Sequence, residues 1–429
     1  MSDARTVLER CDLLARCSEE PGRLTRRFAT PALEEARALV DGWMREAGLS
    51  THRDPLGNLL GRRPGSHLSG RQPGGAERAL MLGSHIDTVR DAGRYDGPLG
   101  VLVALACAER LRETELPFGL EIAAFADEEG VRYGTGYLGS SVPAGRFDEG
   151  WLERVDSDGT TLADAIRAWG GRPEAITGGR REPEELLGYA EVHIEQGPVL
   201  DDRDLPVGVV TGIAGQTRAR VTFTGRAGHA GTTPMEDRRD ALAAAAEWIA
   251  VVESFARGHE HGGPGADEHG RGDGLVATVG ELDVDPGAPN VIPGRVTASL
   301  DVRHPQDAAR EYAVAALREH ATGIAAARGV QTAWDELQST AAVPCSPELT
   351  EEMAAAVTES GHESPPLASG AGHDAAMMAT IAPVAMLFVR CAGGVSHHPD
   401  ESVRPGDVDV AIDVTTRFVE RLAARSRAP

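Results

Sequence analysis

Lysine is absent: all 43 basic residues of the 429-residue chain are arginine. Schiff-base catalysis and the phosphate-cradling loop that ends in Lys-Ser/Thr are thereby excluded. Cysteine is sparse and scattered. Cys11, Cys17, Cys107, Cys345 and Cys391 form no Cys-x-x-Cys pair, which implies neither a disulfide framework nor a thiolate zinc site and makes the cytoplasm the expected compartment. Long apolar runs are missing too, so no stretch approaches the roughly 18 residues of a membrane span. Residues 1–16 mix charged and apolar side chains in a helical pattern, without the apolar core and cleavage site of a signal peptide. Positive charge is the last deficit. Against 66 Asp+Glu the arginines leave a formal net charge of −23, and with no basic run, nucleic acid and anionic membrane surfaces are excluded as partners.

The chain does have enough apolar residues, 41%, for full cores, and its length suggests two or three domains at roughly 100–200 residues each. Residues 79–85 read as an apolar strand ending in a polar turn, and 100–112 as an alanine-rich helix. The unit then repeats, with a strand at 120–126 followed by the acidic turn Asp127-Glu128-Glu129-Gly130. Strands alternating with helices predict an α/β fold with a mixed, mostly parallel sheet flanked by helices and chemistry at the strands' carboxyl ends. From about Gly212 the texture changes. Period-two alternation at 218–225, a helical run at 240–256 and strands at 275–279 and 295–302 read as a smaller α+β unit. The last hundred or so residues return to the first style, with a helix near 351–359 and a strand at 383–389. The expected organisation is a main domain over 1–212 and 329–429, split by an inserted domain over 213–328. His259, His261 and His269 fall in a glycine-rich stretch that reads as a solvated loop rather than a metal tract.

Five segments place oxygen and imidazole donors at strand ends or in glycine-lined turns: His85-Ile-Asp87, Tyr95-Asp96-Gly97, Glu128-Glu129-Gly130, His193-Ile-Glu195-Gln196-Gly197 and Ser396-His397-His398. Singly each has an ordinary reading, as a hydrogen-bonded pair or surface acids. Such donors without thiolate suit zinc, manganese or cobalt, and a catalytic site keeps one position open. Two other patterns lead nowhere. Gly134-Thr-Gly-Tyr-Leu-Gly139 matches a dinucleotide fingerprint but does not leave a strand directly, and no Gly-x-Ser-x-Gly elbow occurs.

Together with Gly83-Ser-His-Ile-Asp-Thr-Val89, Gly93-Arg-Tyr-Asp-Gly97, Gly228-His-Ala-Gly-Thr-Thr-Pro-Met235, Pro289-Asn-Val-Ile-Pro-Gly294 and Ser369-Gly-Ala-Gly-His-Asp374, these segments carry a resemblance. From about Gly83 to Glu401 the chain resembles the hydantoinase/carbamoylase group of amidases, which includes allantoate amidohydrolases and N-carbamoyl-L-amino-acid hydrolases and is related to zinc aminoacylases and carboxypeptidases. The resemblance implies a zinc-exopeptidase-like catalytic domain with an inserted dimerisation or lid domain, and two divalent ions per subunit, zinc or manganese with cobalt as a further option. His85 and His193 would bind one ion, Glu129 and His397 the other, and Asp96 would bridge them, with His398 the alternative to its neighbour. Glu128 would be the general base, and Asp87 would accept the free N–H of His85. His229 would donate to the oxyanion from the partner subunit of a homodimer, a crossing for which Asn290 and Arg303 are also candidates. Arg303 would hold the substrate carboxylate. Gln196, Gln216, Asn290, Gly372 and His373 would complete the substrate pocket, with Gln216 resembling the allantoate-processing form. The expected reaction is hydrolysis of a carbamoyl C–N bond beside a carboxylate, with allantoate as the substrate. N-carbamoyl-L-amino-acid hydrolase and β-ureidopropionase are the alternatives within the class, and a non-catalytic metal-binding module the alternative outside it.

Overall fold

The computed structural model describes residues 3–66, 77–258 and 274–427. His259, His261 and His269 lie outside them. The chain forms two compact units. The larger comprises Met1–Thr211, Cys345–Leu367 and Ala371–Pro429, the smaller Gly212–Pro344 with Ala368–Gly370.

In the larger unit the strands Gly119–Phe125, Ala79–His85, Leu186–Ile194 and Val384–Val389 lie side by side and parallel. Ser50–Arg53 and Leu59–Arg63 extend one edge antiparallel, and Val207–Ile213 the other. Every residue of Ala79–His85, Gly119–Phe125 and Val384–Val389 is buried, as expected of strands covered on both faces. The helix Pro98–Arg110 is apolar nearly all round and lies directly on this sheet. Gly100 permits the approach, since a Cβ there would sit 2.0 Å from the carbonyl oxygen of Val192. Because the central strands are parallel, their carboxyl ends share one edge, where His85, the acidic turn after Phe125 and His193 emerge.

The smaller unit is a sheet ordered Leu282–Asp285, Arg295–His304, Gly215–Thr224 and Gln331–Thr340, with Val276–Thr278 also pairing Arg295–His304. Alternate residues Ala219, Val221, Phe223, Val296, Ala298 and Leu300 point into a core with Trp248 and Leu317, under the helices Ala241–Ala256 and Asp307–Ala327. Asp240 caps the first of these, accepting from the N–H groups of Leu242 and Ala243. The unit ends at Pro344 rather than at the expected 328. The difference is the strand Gln331–Thr340, which pairs with Gly215–Thr224 along the sheet edge. Its side chains are mostly exposed, so it carries no apolar run to mark it as part of a core.

Candidate metal centre

Asp96 sits in the turn between Ala79–His85 and Pro98–Arg110, 6% exposed, with imidazoles facing both of its oxygens. Oδ1 is 3.1 Å from His193 Nε2 and 3.5 Å from His85 Nε2, and Oδ2 is 3.3 Å from His397 Nε2. Glu129 Oε1 lies 3.5 Å from the same His397 nitrogen. Two donor groups therefore meet on one carboxylate: His85 and His193 at Oδ1, Glu129 and His397 at Oδ2.

The ring orientations test whether a cation belongs there. His193 Nδ1 is 2.9 Å from the carbonyl of Ile194, and His85 Nδ1 is 3.2 Å from the carbonyl and 3.3 Å from the carboxylate of Asp87. These acceptors put the proton on Nδ1, so in a neutral ring the Nε2 lone pair points at a carboxylate oxygen. Acceptor facing acceptor is unfavourable unless a proton or a metal ion lies between them, so the donor set fits a divalent ion. Burial opposes a charged His85, but hydrogen bonds to Asp87 and Asp96 outweigh it and raise the ring well above its ordinary value. Burial likewise would raise Asp96, yet His193, His397 and His85 hold it well below the carboxylate range.

Asp87 does more than orient His85. Its two oxygens accept from the backbone N–H groups of Glu128 and Glu129 at 3.0 and 3.2 Å, which fixes the acidic turn against the end of Ala79–His85. Glu128 groups with His85 and Glu129. Burial first, then the charge of Glu129, raises its carboxyl well above the usual range, while burial and Asp96 bring Glu129 to about 7. The glycine segment that mimics a dinucleotide fingerprint folds back over this turn instead, with Tyr137 N–H on the Glu128 carbonyl and Gly139 N–H on that of Asp127.

Gln196 Nε2 donates to Asp96 Oδ2 at 2.8 Å and to Ser396 Oγ at 3.2 Å. Gln196 and His397 both adopt left-handed backbone conformations, φ +57° and +56°, which bulky residues seldom hold without surrounding contacts. His398 turns away to Asp400, 3.6 Å off, and is in none of the ligand groupings. His373 is buried with its ring edge-on to His193 at 4.5 Å, packed against that imidazole. Gly372 lies against Tyr137, whose hydroxyl occupies the space an added Cβ would take.

In the smaller unit, His229 and Asn290 are exposed on a short ribbon, where His229 pairs with Val291 and Ala230 N–H donates to the Asn290 carbonyl. Gly231 N–H donates to His229 Nδ1 at 3.1 Å, so a neutral ring carries its proton on Nε2 and presents a donor outward. Gln216 and Arg303 are directly opposite each other on neighbouring strands.

Several contributors were not read from sequence. Glu401 Oε1 accepts from the N–H groups of Tyr95 and Asp96 at 2.6 and 3.1 Å, holding the backbone at Asp96. Ser396 Oγ donates to Asp96 Oδ2 at 2.7 Å. Glu195, an acid inside a ligand motif, instead caps the helical turn Val199–Asp202 through the N–H groups of Val199 and Leu200. Gly93 lies against Glu401, and a Cβ there would clash with that of Glu401.

Comparison with known proteins shows the family. The model of peptidase family M20/M25/M40 matches residues 81–421. The chain belongs to that family. It is 42% identical over 449 residues to a probable allantoate deiminase of Oryza sativa subsp. japonica, covering 99% of this chain and 89% of the relative. It is 38% identical over 428 residues to an N-carbamoyl-L-amino acid amidohydrolase of Geobacillus stearothermophilus, covering 99% of both. A hydantoinase/carbamoylase family amidase from Burkholderia multivorans superposes with TM-score 0.87 at 32% identity, covering 100% of this chain and 99% of that one. The chain is therefore a hydrolytic enzyme of the metal-dependent amidohydrolase group, acting on C–N bonds other than peptide bonds, and not a non-catalytic metal-binding module. Among the described residues no helix is long and apolar enough to cross a membrane.

Proposed function

We propose that the enzyme hydrolyses the carbamoyl C–N bond of a ureido carboxylate with two divalent ions per subunit, and that allantoate is its substrate, giving ureidoglycine, ammonia and carbon dioxide. The observation that carries this reading is Asp96, whose two oxygens face separate imidazole groups while a further acid, Glu128, stands beside them. His85 and His193 would hold one ion, Glu129 and His397 the other, with Asp96 shared. When bound, such ions lower the pKa of water and polarise a carbonyl.

The chain's own groups supply the rest. Glu128 accepts the proton of the attacking water on its carboxylate and delivers it to the leaving nitrogen. His229 offers its Nε2 proton to the oxyanion, from the partner subunit of a homodimer; the exposed edge strand Gln331–Thr340, with Leu337 53% exposed, supports self-association. Arg303 holds the substrate carboxylate and Asn290 its polar groups. Gln216 and the likeness to plant allantoate deiminases support allantoate. The equally complete likeness to a carbamoylase makes hydrolysis of N-carbamoyl-L-amino acids the second reading. The test is ammonia release by metal-depleted enzyme resupplied with manganese or zinc, offered allantoate and a panel of N-carbamoyl-L-amino acids in parallel. Faster turnover of allantoate supports the first reading. Faster turnover of the carbamoyl amino acids replaces it with the second, and no turnover with metal bound overturns both.

A further inference from the structure

One face of the smaller unit's sheet is apolar and covered by helices, and the other is polar. On the polar face Gln216 stands opposite Arg303, and in the next same-face position Arg218 stands opposite Asp301. Asp301 is the hub of this square. Its Oδ2 accepts from Gln216 Nε2 at 2.6 Å, Arg218 Nε at 3.1 Å and Arg303 Nη2 at 3.2 Å, and its Oδ1 from Arg303 Nε at 2.9 Å. Arg303 Nη1 donates to the Gly370 carbonyl at 2.9 Å. Burial would raise the Asp301 carboxyl, but hydrogen bonds and charge from Arg303, with Arg218 and Gln216, outweigh it and keep the group below the usual range.

An ionised carboxylate only accepts hydrogen bonds. The Gln216 amide therefore has one orientation: Nε2 faces Asp301, and Oε1 faces away as an acceptor. The guanidinium is constrained in the same manner. Asp301 occupies its side-on edge, Nε with Nη2, and the Gly370 carbonyl takes one N–H of Nη1, leaving one N–H each on Nη1 and Nη2 for a second carboxylate.

We propose that Asp301 is a positioning residue for substrate selection, fixing Gln216 so that its amide oxygen is presented as an acceptor beside the remaining N–H groups of Arg303. This pattern selects a carboxylate whose neighbouring substituent carries N–H donors, a second ureido group, over one whose substituent is apolar. The inference rests on the function proposed above and specifies its substrate class. In allantoate the carbon bearing the carboxylate carries two ureido groups, one to be cleaved and one to donate to Gln216. An N-carbamoyl-L-amino acid with an apolar side chain offers no donor there and leaves the acceptor unpaired, the kind of mismatch that polar sites reject most strongly.

The test is the ratio of kcat/KM for allantoate to that for N-carbamoyl-L-leucine in metal-loaded Asp301→Asn. Arg303 serves both substrates, so its disturbance cancels in the ratio, and what is left reports on Gln216. Asn removes the charge that holds Gln216 Nε2, so the amide is no longer fixed in one orientation and the ratio is expected to fall by about ten- to hundredfold. Gln216→Leu should produce a similar fall. The double variant should fall no further, because Asp301 acts through Gln216. An unchanged ratio, with both substrates slowed equally, overturns the proposal and leaves Asp301 as a support of Arg303 alone. Additive losses in the double variant also overturn it. Should Asp301→Asn fail to fold, Asp301→Ser, which frees the amide to rotate, is read by the same ratio. Failure of the underlying function is distinguishable, because the unmodified enzyme would then not hydrolyse allantoate at all.

Discussion

Replacing Glu401 should damage the metal centre although the residue is not placed as a ligand. The Glu401→Ala variant loses the acceptor shared by the N–H groups of Tyr95 and Asp96, and with it a contact to Ser396 Oγ at 3.4 Å. Hydrogen bonds to a charged acceptor are worth ~1.5–3 kcal/mol each, so two of them total ~3–6 kcal/mol. Water entering the space left by the side chain returns part of this, and ~2–3 kcal/mol remains as the cost of holding Asp96 in its ligand pose. At ~1.4 kcal/mol per tenfold, metal affinity should weaken by about 30- to 150-fold. Glu401→Gln keeps an acceptor oxygen for the same N–H groups and should cost ~1 kcal/mol, about fivefold. The assay is competition for zinc or manganese against a chromogenic chelator, above the pH of about 7 to which burial, then Asp96, raises the Glu401 carboxyl in the metal-free chain. Thermal unfolding of the metal-free variants separates local from global damage. Metal binding by Glu401→Ala as tight as that of the parent would refute the reasoning, as would a glutamine variant no better than alanine.

Three further outcomes follow from the same geometry. Glu128→Gln should retain metal and lose about 10²–10⁴-fold in turnover, and a near-normal rate would remove Glu128 as the base. His397 is raised to about 9, first by its hydrogen bond to Asp96, and Glu129 to about 7, first by burial, so both hold protons below those values that a metal ion must displace. Metal affinity should therefore fall as pH drops below about 9, and more steeply below about 7, by ~tenfold per pH unit for each proton released. Calorimetry in buffers of different ionisation enthalpy counts those protons, and binding without release would contradict the donor set. His229→Ala should lower turnover more than metal binding, and mixing it with Asp96→Ala should restore activity through hybrid dimers. No restoration after confirmed subunit exchange would count against a histidine acting across the interface.

What was legible in the sequence divides along a chemical line. The central strands could be read because strands buried on both faces are continuous apolar runs, and the ligand candidates because imidazole and carboxylate at strand ends are unusual side chains in unusual places. Their assembly could not be read from spacing: parallel strands bring His85, Glu129 and His193 to one edge, and Asp96 and His397 reach them from the loops that follow two of those strands, so their roles came from the family resemblance. The strand Gln331–Thr340 was missed since an exposed edge has little apolar pattern to show. The supporting residues were missed for a different reason. Glu401, Glu195 and Asn58 act on backbone N–H and C=O groups, which nearly every residue possesses and no motif displays. Asn58 is the extreme case. Fully buried, it accepts from Ala126 N–H at 3.0 Å and donates through Nδ2 to the Gly139 carbonyl at 2.8 Å and to Asp54 at 2.6 Å. One amide thus ties together the two ends of the segment that carries Glu128 and Glu129. An aspartate could not donate to Gly139 without a proton, and an alanine would leave buried partners unpaired at ~1–3 kcal/mol each. The side chains that do the chemistry are recognisable by type, whereas those that keep them in place are recognisable only by what they touch.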